Sequence, residues 1–242
     1  MSRDYFTWNG KTSLQMGLVI EGEPRYITGQ KIVDKYTVPG RNGSILFDTG
    51  AYSDGEAEYT VSLVSHTLEA DLYLISAWLM GTTGYSVYKA LTDTQEPLIT
   101  RYAYCDNALD FVRKLKITGK GTIHFCCKPQ RYFSDTLSAY ETLSGSGVGI
   151  VNNYMPARPY ITVAGSGAGV LKVGNVQMTF SDIPATLTID CENCLTYAGN
   201  NNYSNLVTLS GYDYPELHNG TTVITYSGGI TQVKVCKRLW TL

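Results

Sequence analysis

The sequence Cys191-Glu-Asn-Cys194 has the residue types and the spacing of half a zinc site or of a redox dithiol. A structural zinc site needs a second pair of ligands, and the adjacent Cys126-Cys127 does not have the spacing of a standard zinc knuckle. A thioredoxin-like dithiol needs the N-terminus of a helix, whereas the surrounding sequence predicts only strands. We therefore interpret these cysteines as structural thiols and expect no cofactor. A metal held by Cys191 and Cys194 stays open as the alternative.

No group of residues has the order or the spacing of a catalytic site. His66, His124 and His218 have no Asp or Glu at motif spacing, and no G-x-S-x-G nucleophile elbow occurs. The glycines from Gly165 to Gly169 precede no predicted helix, so they do not indicate a phosphate-binding loop. We therefore predict that the chain is not an enzyme.

The composition favours a subunit that assembles with others. Only 17% of the 242 residues are charged, against about 25% in ordinary soluble domains, and the net charge is −2. This charge offers no basic patch for nucleic-acid recognition, whereas the 19 tyrosines are of a type enriched in interface cores. We find no run of about 20 apolar residues for a membrane span and no signal peptide. Six cysteines are too sparse for a disulfide framework, so we expect reduced thiols and synthesis in a cytoplasm.

The elements that could position a binding surface begin with the segment 31–52. Residues 31–38 alternate apolar and polar as a strand does, and residues 44–47 form a second extended run. Pro39-Gly40 and Asn42-Gly43 force the chain to turn between them, which places Arg41 at the tip. The interface candidates are the turn residues and the tyrosine that ends the second run: Pro39, Gly40, Arg41, Asn42, Gly43 and Tyr52.

After residue 67 the spacing of the apolar residues changes from the alternation of a strand to the spacing of a helix. Leu68, Leu72, Ile75 and Leu79 form one apolar helical stripe, with Thr67 as the predicted N-cap and Gly81 as the end of the helix. Strands are predicted from Tyr85 and again over residues 109–117, and Thr118-Gly-Lys-Gly-Thr122 predicts a hairpin turn. Residues 134–155 are rich in Ser, Gly, Thr and Asn, which is typical of a domain boundary. Beyond Tyr160, short apolar runs separated by glycine turns predict a second, all-β sandwich or jelly roll.

The order of these features resembles the distal tail proteins of long-tailed, non-contractile bacteriophages. The segments that carry the resemblance are, in chain order, Phe6-Thr-Trp-Asn-Gly10, Leu18-Val-Ile20, Val38-Pro-Gly-Arg-Asn-Gly-Ser-Ile45, Ala77-Trp-Leu-Met-Gly81, Tyr102-Ala-Tyr104, Cys127-Lys-Pro-Gln-Arg-Tyr132, Arg158-Pro-Tyr-Ile-Thr-Val-Ala-Gly165, Thr188-Ile-Asp190, and Lys237, Arg238 and Trp240. They span nearly the whole chain, and their order and spacing carry the argument.

The resemblance implies a mainly β fold of two sandwiches. Residues 1–133 would form a tail-tube-like, ring-forming β-sandwich with one flanking α-helix. Residues 134–157 would be a linker or arm, and residues 158–242 a galectin-like jelly-roll sandwich. The protein would be made in the bacterial host cytoplasm and reside at the tail tip of the virion, or derive from a prophage. It would form a hexameric ring there.

The partners that the resemblance implies are the tail tube protein, the tail-associated baseplate or lysin protein and, in some phages, a receptor-binding protein. The second sandwich would serve as a docking platform. The alternative function is a carbohydrate-binding adhesin that recognises host cell-wall polysaccharide. Its candidates, which are also our docking-loop candidates, are the tyrosines of the Asn-rich loops that could stack on sugar rings: Tyr197, Tyr203, Tyr212 and Tyr214.

Overall fold

The structure is a computed structural model that describes residues 3–81, 88–105, 110–115 and 118–242. Over these residues the fold is mainly β with one α-helix, as the sequence predicts. The chain divides into two compact units, Met1–Arg131 together with Leu242, and Tyr132–Thr241. None of the helices in the described ranges is both long enough and apolar enough to span a membrane.

Strands build most of the first unit. They are β1 (Phe6–Trp8), β2 (Lys11–Thr12), β3 (Leu18–Ile20), β4 (Arg25–Ile27), β5 (Lys31–Thr37), β6 (Ser44–Tyr52), β7 (Gly55–Val64), β8 (Lys89–Asp93), β9 (Ile99–Tyr104), β10 (Asp110–Leu115) and β11 (Thr118–Phe133). The main sheet has the order β2-β1-β8-β9-β11-β7-β3, with β10 also paired to β11 and β4 to β7. A short 3-10 turn, Leu14–Met16, precedes β3. The predicted start of a strand at Tyr85 and the predicted strand end at residues 116–117 lie outside the described residues.

The core of the first unit lies between the sheet and the helix α1 (Leu68–Met80). Alternation along β7 buries Ala57, Tyr59, Val61 and Leu63, because successive side chains of a strand point to opposite faces. The predicted helical stripe is buried at Leu68, Ile75 and Leu79 and partly buried at Leu72, and Trp78 joins it. The rings of Phe6 and Trp78 stack with centroids 5.8 Å apart. The Trp78 indole N–H donates to the carbonyl of Trp8 at 3.2 Å.

The structure confirms the position of the predicted N-cap of α1 and corrects one other local prediction in the first unit. Thr67 occupies the N-cap position of α1, but its side chain makes no capping hydrogen bond to the helix. The hydroxyls of Ser65 and Thr67 instead donate to the Asp71 carboxylate. Residues 118–122, predicted as a turn, lie inside β11 and pair with both β10 and β7. Lacking a side chain, Gly119 and Gly121 fit a strand that is buried between two neighbours.

The second unit contains one large antiparallel sheet. Its strands are β12 (Tyr140–Thr142), β13 (Val148–Asn152), β14 (Tyr160–Val173), β15 (Val176–Phe180), β16 (Pro184–Asp190), β17 (Leu195–Ala198), β18 (Asn201–Asn202), β19 (Val207–Leu209) and β20 (Gly220–Cys236). The short strand β21 (Trp240–Thr241) is not part of this sheet. The order is β12-β20-β14-β16-β17-β18, with β13 on β20 and with β15 on β14 and β19. Two 3-10 turns, Ser134–Thr136 and Ser204–Leu206, complete the unit.

The segment 134–157, which the sequence assigns to a linker or arm, contributes two strands to this sheet. Both β12 and β13 pair with β20, about 80 residues further along the chain. Leu143 and Ile150 are buried in the unit. The Asn152 side-chain amide donates to the carbonyls of Leu217 at 2.7 Å and Met155 at 2.9 Å. Although the segment is rich in polar residues, its backbone is therefore held in place by pairing with β20.

Candidate assembly surface

Strands β5 and β6 form a two-stranded antiparallel ribbon that pairs with no other strand among the described residues. Thr37 lies opposite Ser44, and the register continues from Tyr36 and Ile45 to Val33 and Asp48. A register shift follows towards the base of the ribbon, where Lys31 lies opposite Tyr52. Isolated two-stranded ribbons are marginally stable in water, so this element is of a kind that gains stability by packing against something else.

The tip of the ribbon is a type II turn followed by a second glycine. The Arg41 N–H donates to the Val38 carbonyl at 3.2 Å, with Pro39 and Gly40 as the central residues. Gly40 and Gly43 both have φ of +80°, a conformation that favours glycine. The sequence prediction of a double turn with Arg41 at its tip is therefore met by the backbone geometry.

The five predicted turn residues from Pro39 to Gly43 are brought together at the tip, and all are exposed. Tyr52 is not with them. It is half-buried at the far end of β6, about 26 Å along the strand from Ser44 at ~3.3 Å per residue. Tyr52 therefore belongs to the base of the ribbon, and any contact that it makes in an assembly is separate from that of the turn.

The ribbon has one mainly apolar face and one mixed face. Asp34, opposite Phe47, lies on the same side as four exposed apolar residues, which register and alternation place there: Ile32, Tyr36, Ile45 and Phe47. We call these four residues the ribbon face. Leu46, opposite Lys35, points to the other side. Scattered exposed apolar residues are ordinary in proteins, but several of them on one side of a ribbon that pairs with no other described strand favour a binding surface.

The charges of the ribbon are unevenly satisfied. The ammonium group of Lys31 lies 2.5 Å from the Asp48 carboxylate. This hydrogen bond raises the pKa of Lys31 and lowers the pKa of Asp48. Within the described ranges Arg41 forms no ion pair. Its guanidinium is therefore free to contact a neighbouring molecule.

The Cys191-Glu-Asn-Cys194 segment forms a tight turn after β16. The Asp190 carboxylate accepts hydrogen bonds from the backbone N–H groups of Glu192 at 3.0 Å and Asn193 at 3.1 Å. Cys191 is buried, and burial raises the pKa of its thiol, whereas Cys194 is exposed with a φ of 55°. No cluster of three or more His, Cys, Asp or Glu residues in the described part of the chain is placed to hold a metal ion.

The four docking-loop tyrosines are not equivalent. Tyr197, Tyr203 and Tyr214 are half-buried, and the Tyr214 hydroxyl lies 3.4 Å from that of Thr196. Tyr212 is fully exposed in the connection between β19 and β20. Only Tyr212 of the four therefore presents a whole ring to solvent.

The sequence reasoning missed two features of the first unit. Ile45 and Phe47 extend the exposed apolar row, and the alternation of residues 44–48 could have revealed them. The outer side of α1 is also apolar at Tyr73 and Leu74, a pattern visible only when the helix is searched for a second stripe.

Comparison with known proteins identifies a structural relative and no sequence relative. No protein-family model and no curated protein matches the chain. Among solved structures, the chain is similar to the crystal structure of the Dit (gp 19.1) protein of SPP1, described as a paradigm of the hub adsorption apparatus in phages that infect Gram-positive hosts. The TM-score is 0.74 at 14% identity, covering 97% of this chain and 98% of that chain. The protein thus has, over nearly its whole length, the fold of a phage hub protein.

Proposed function

We propose that this chain is a structural subunit of a phage or prophage tail tip. The observation that carries the proposal is the likeness of fold to SPP1 Dit, which extends over both units of the chain. The exposed, apolar ribbon of the first unit supports it, because such an element is suited to contact with other subunits. The low content of charged residues also agrees with a protein that is a permanent part of an assembly.

In this proposal the subunits form a hexameric ring that joins the tail tube to the tail-associated baseplate protein. The first unit, taken as residues 1–133, is the tail-tube-like, ring-forming domain. The galectin-like domain, residues 158–242, is a docking platform for host-adhesion components such as a receptor-binding protein. The site of action is the tail tip of the virion.

The test is the mass of the purified protein by light scattering, with negative-stain images of the same fraction. A ring of six has a mass of about 160 kDa, six times the 26.6 kDa of one chain. We expect this mass and six-fold rings with an open centre. A monomer at every concentration reached, with no rings in the images, would contradict the ring.

Charge reversal at the ribbon tip is the first prediction. Arg41→Glu should lower the fraction of protein in rings and leave the circular dichroism spectrum unchanged, because Arg41 is exposed and makes no ion pair in the described chain. The control is Lys172→Glu, which makes the same change of charge at an exposed position of the second unit. An unchanged mass for Arg41→Glu at dilute concentration would show that Arg41 is not an interface residue.

The second candidate function is recognition of cell-wall polysaccharide by the second unit. The full exposure of the Tyr212 ring favours it, since sugar rings stack on accessible aromatic faces. Calorimetry with polysaccharide from host cell walls would detect binding. If this candidate function is correct, Tyr212→Ala should abolish the binding; unaltered binding would exclude Tyr212 as the contact.

A further inference from the structure

The helix α1 has a second apolar stripe that none of the described residues of its own chain covers. Ala70, Tyr73, Leu74, Ala77 and Met80 recur at helical spacing and are all exposed, with Tyr73 at 76% and Leu74 at 62%. The helix contains no Lys or Arg whose aliphatic stem could shield them. A helix at the surface of a protein is normally polar on its outer side, so this side is of the kind found inside an interface.

A groove runs beside this stripe. It has a volume of about 330 Å³ and lies between the 3-10 turn before β3, the end of β7 and the first half of α1. Met16, Leu63, Val64 and Leu74 supply its apolar lining. Val64 and Leu74 are both exposed and connect the groove to the stripe. We call the stripe and the groove together the helix groove.

We propose that the helix groove receives the ribbon face of a second copy of this chain. This inference rests on the proposed ring and specifies how neighbouring subunits meet. A second copy of this chain is the fitting occupant, because its ribbon face is itself an exposed apolar surface of the first unit. Burial of both surfaces in one contact would remove the two largest exposed apolar rows that we find in the first unit.

The dimensions of the two surfaces agree. Residues 70 to 80 of the helix span about 15 Å at ~1.5 Å per residue. The ribbon from Ile32 to Val38 spans about 20 Å at ~3.3 Å per residue. One ribbon can therefore lie along the whole helix stripe.

The charge at the tip of the ribbon agrees as well. The first turn of α1 carries Glu69 and Asp71, and the helix has no basic residue. The tip of the ribbon carries Arg41, whereas Lys35 points to the other side with Leu46, and Asp34 lies beside Phe47, away from the tip. A ribbon that lies along the helix with its tip towards residue 68 brings Arg41 towards the acidic first turn and keeps Asp34 away from it, an arrangement that favours correct register.

A contact of this kind is compatible with a ring. The ribbon face and the helix groove are different surfaces of one chain, so their contact is heterologous, with each subunit giving a ribbon to one neighbour and receiving one from the other. Heterologous contacts give a ring where the rotation between neighbours closes and an open filament where it does not. The two surfaces are thus compatible with a closed ring without a two-fold axis between neighbouring subunits.

The test uses two variants that each block one surface. Phe47→Glu places a charge on the ribbon face, and Leu74→Glu places one in the helix groove. Each variant alone should be a monomer at a concentration where the wild type is a ring. An equimolar mixture should give a dimer of about 53 kDa, twice the 26.6 kDa chain mass, because the intact ribbon of one variant fits the intact groove of the other.

Matched controls separate this contact from a general effect of surface charge. Leu46 is 62% exposed and Phe47 is 61% exposed on opposite sides of the same strand, so Leu46→Glu should leave the ring intact. Leu98 is 70% exposed in the turn between β8 and β9, and Leu98→Glu should also leave the ring intact. Circular dichroism checks the fold of every variant, and Tyr73→Glu replaces Leu74→Glu if the latter does not fold.

The outcomes distinguish this inference from the proposed function. A wild-type ring that persists in the Leu74→Glu and Tyr73→Glu variants would overturn the helix groove and leave the ring standing. Two monomeric variants that do not combine in the mixture would also overturn it. A wild-type protein that never forms a ring would overturn both.

Discussion

Asp93 is the carboxylate around which the polar centre of the first unit is arranged. It accepts hydrogen bonds from the hydroxyls of Tyr59 at 2.7 Å and Tyr26 at 2.9 Å, and from two backbone N–H groups of the following turn. The guanidinium of Arg101, which is almost fully buried, lies 3.5 Å away and 4.1 Å from the centre of the Tyr26 ring. The Arg101 guanidinium also donates to the Glu96 carboxylate, so a buried charge of this kind is tolerated because Asp93 and Glu96 together compensate it.

Asp93→Asn should destabilise the first unit by about 3 kcal/mol, because it leaves the buried Arg101 with less compensating charge. The measurement is a urea titration followed by the fluorescence of Trp8 and Trp78. Glu58→Gln is the control: among the described residues Glu58 forms an exposed ion pair with Arg25 alone, and its substitution should cost no more than about 1 kcal/mol. Equal effects of the two substitutions would refute the structural role of Asp93.

Tyr59 makes the first unit sensitive to alkali. Its burial, and next the negative charge of Asp93, raise its pKa well above the ordinary value of about 10. The folded state therefore keeps the hydroxyl proton where the unfolded state loses it. The stabilisation is complete below about pH 10 and is lost as the pH rises beyond it. We expect the free energy of unfolding to fall above pH 10, and to fall less steeply in Tyr59→Phe; equal slopes would contradict this assignment.

At the scale of the element, the long strands β14 and β20 depend on close contact between two glycines. Their register shifts between Ala164 and Gly169, where the chain bulges. A Cβ atom at Gly229 would lie 1.8 Å from the carbonyl oxygen of Ser166, and one at Gly165 would lie 2.1 Å from that of Gly229. The two backbones can approach this closely only because neither glycine has a side chain.

Gly229→Ala should therefore destabilise the second unit by about 1–3 kcal/mol or more, because the strands must separate to admit a methyl group. Thermal unfolding monitored by circular dichroism measures the effect. Gly145→Ala is the matched control in the same unit, since a Cβ there meets nothing within 4 Å. It should be neutral or slightly stabilising. A neutral Gly229→Ala would mean that the bulge adapts without cost.

At the scale of the whole molecule, the second unit needs the segment before residue 158. Strands β12 and β13 pair with β20, and Ile150 and Leu143 belong to the buried residues. A fragment of residues 134–242 should unfold cooperatively, whereas a fragment of residues 158–242 should not, because it exposes one side of β20. Urea titrations of the two fragments decide this. Equal stability would support the view of residues 134–157 as a dispensable linker.

Local patterns in the sequence were sufficient for the elements that depend on near neighbours. The helix at 68–80, the turn with Arg41 at its tip and the alternation along β7 each follow from residues a few positions apart. They could be predicted because helical periodicity, turn propensity and strand alternation are short-range properties. The likeness of fold to a phage hub protein agrees with the family that the order of motifs indicates.

Only the tertiary structure decided the rest. Residues 140–142 and 148–152 of the glycine-rich segment are strands because β20 lies beside them, and Thr118–Thr122 is strand because β7 and β10 flank it. Asp93 accepts hydrogen bonds from Tyr26, which is 67 positions away in the sequence, and from Tyr59, which is 34 positions away. Phe47 and Leu74 remain exposed because other apolar residues pack into the core, and only the structure shows which residues those are. These features were beyond prediction because they depend on contacts between distant parts of the chain, which no local pattern encodes.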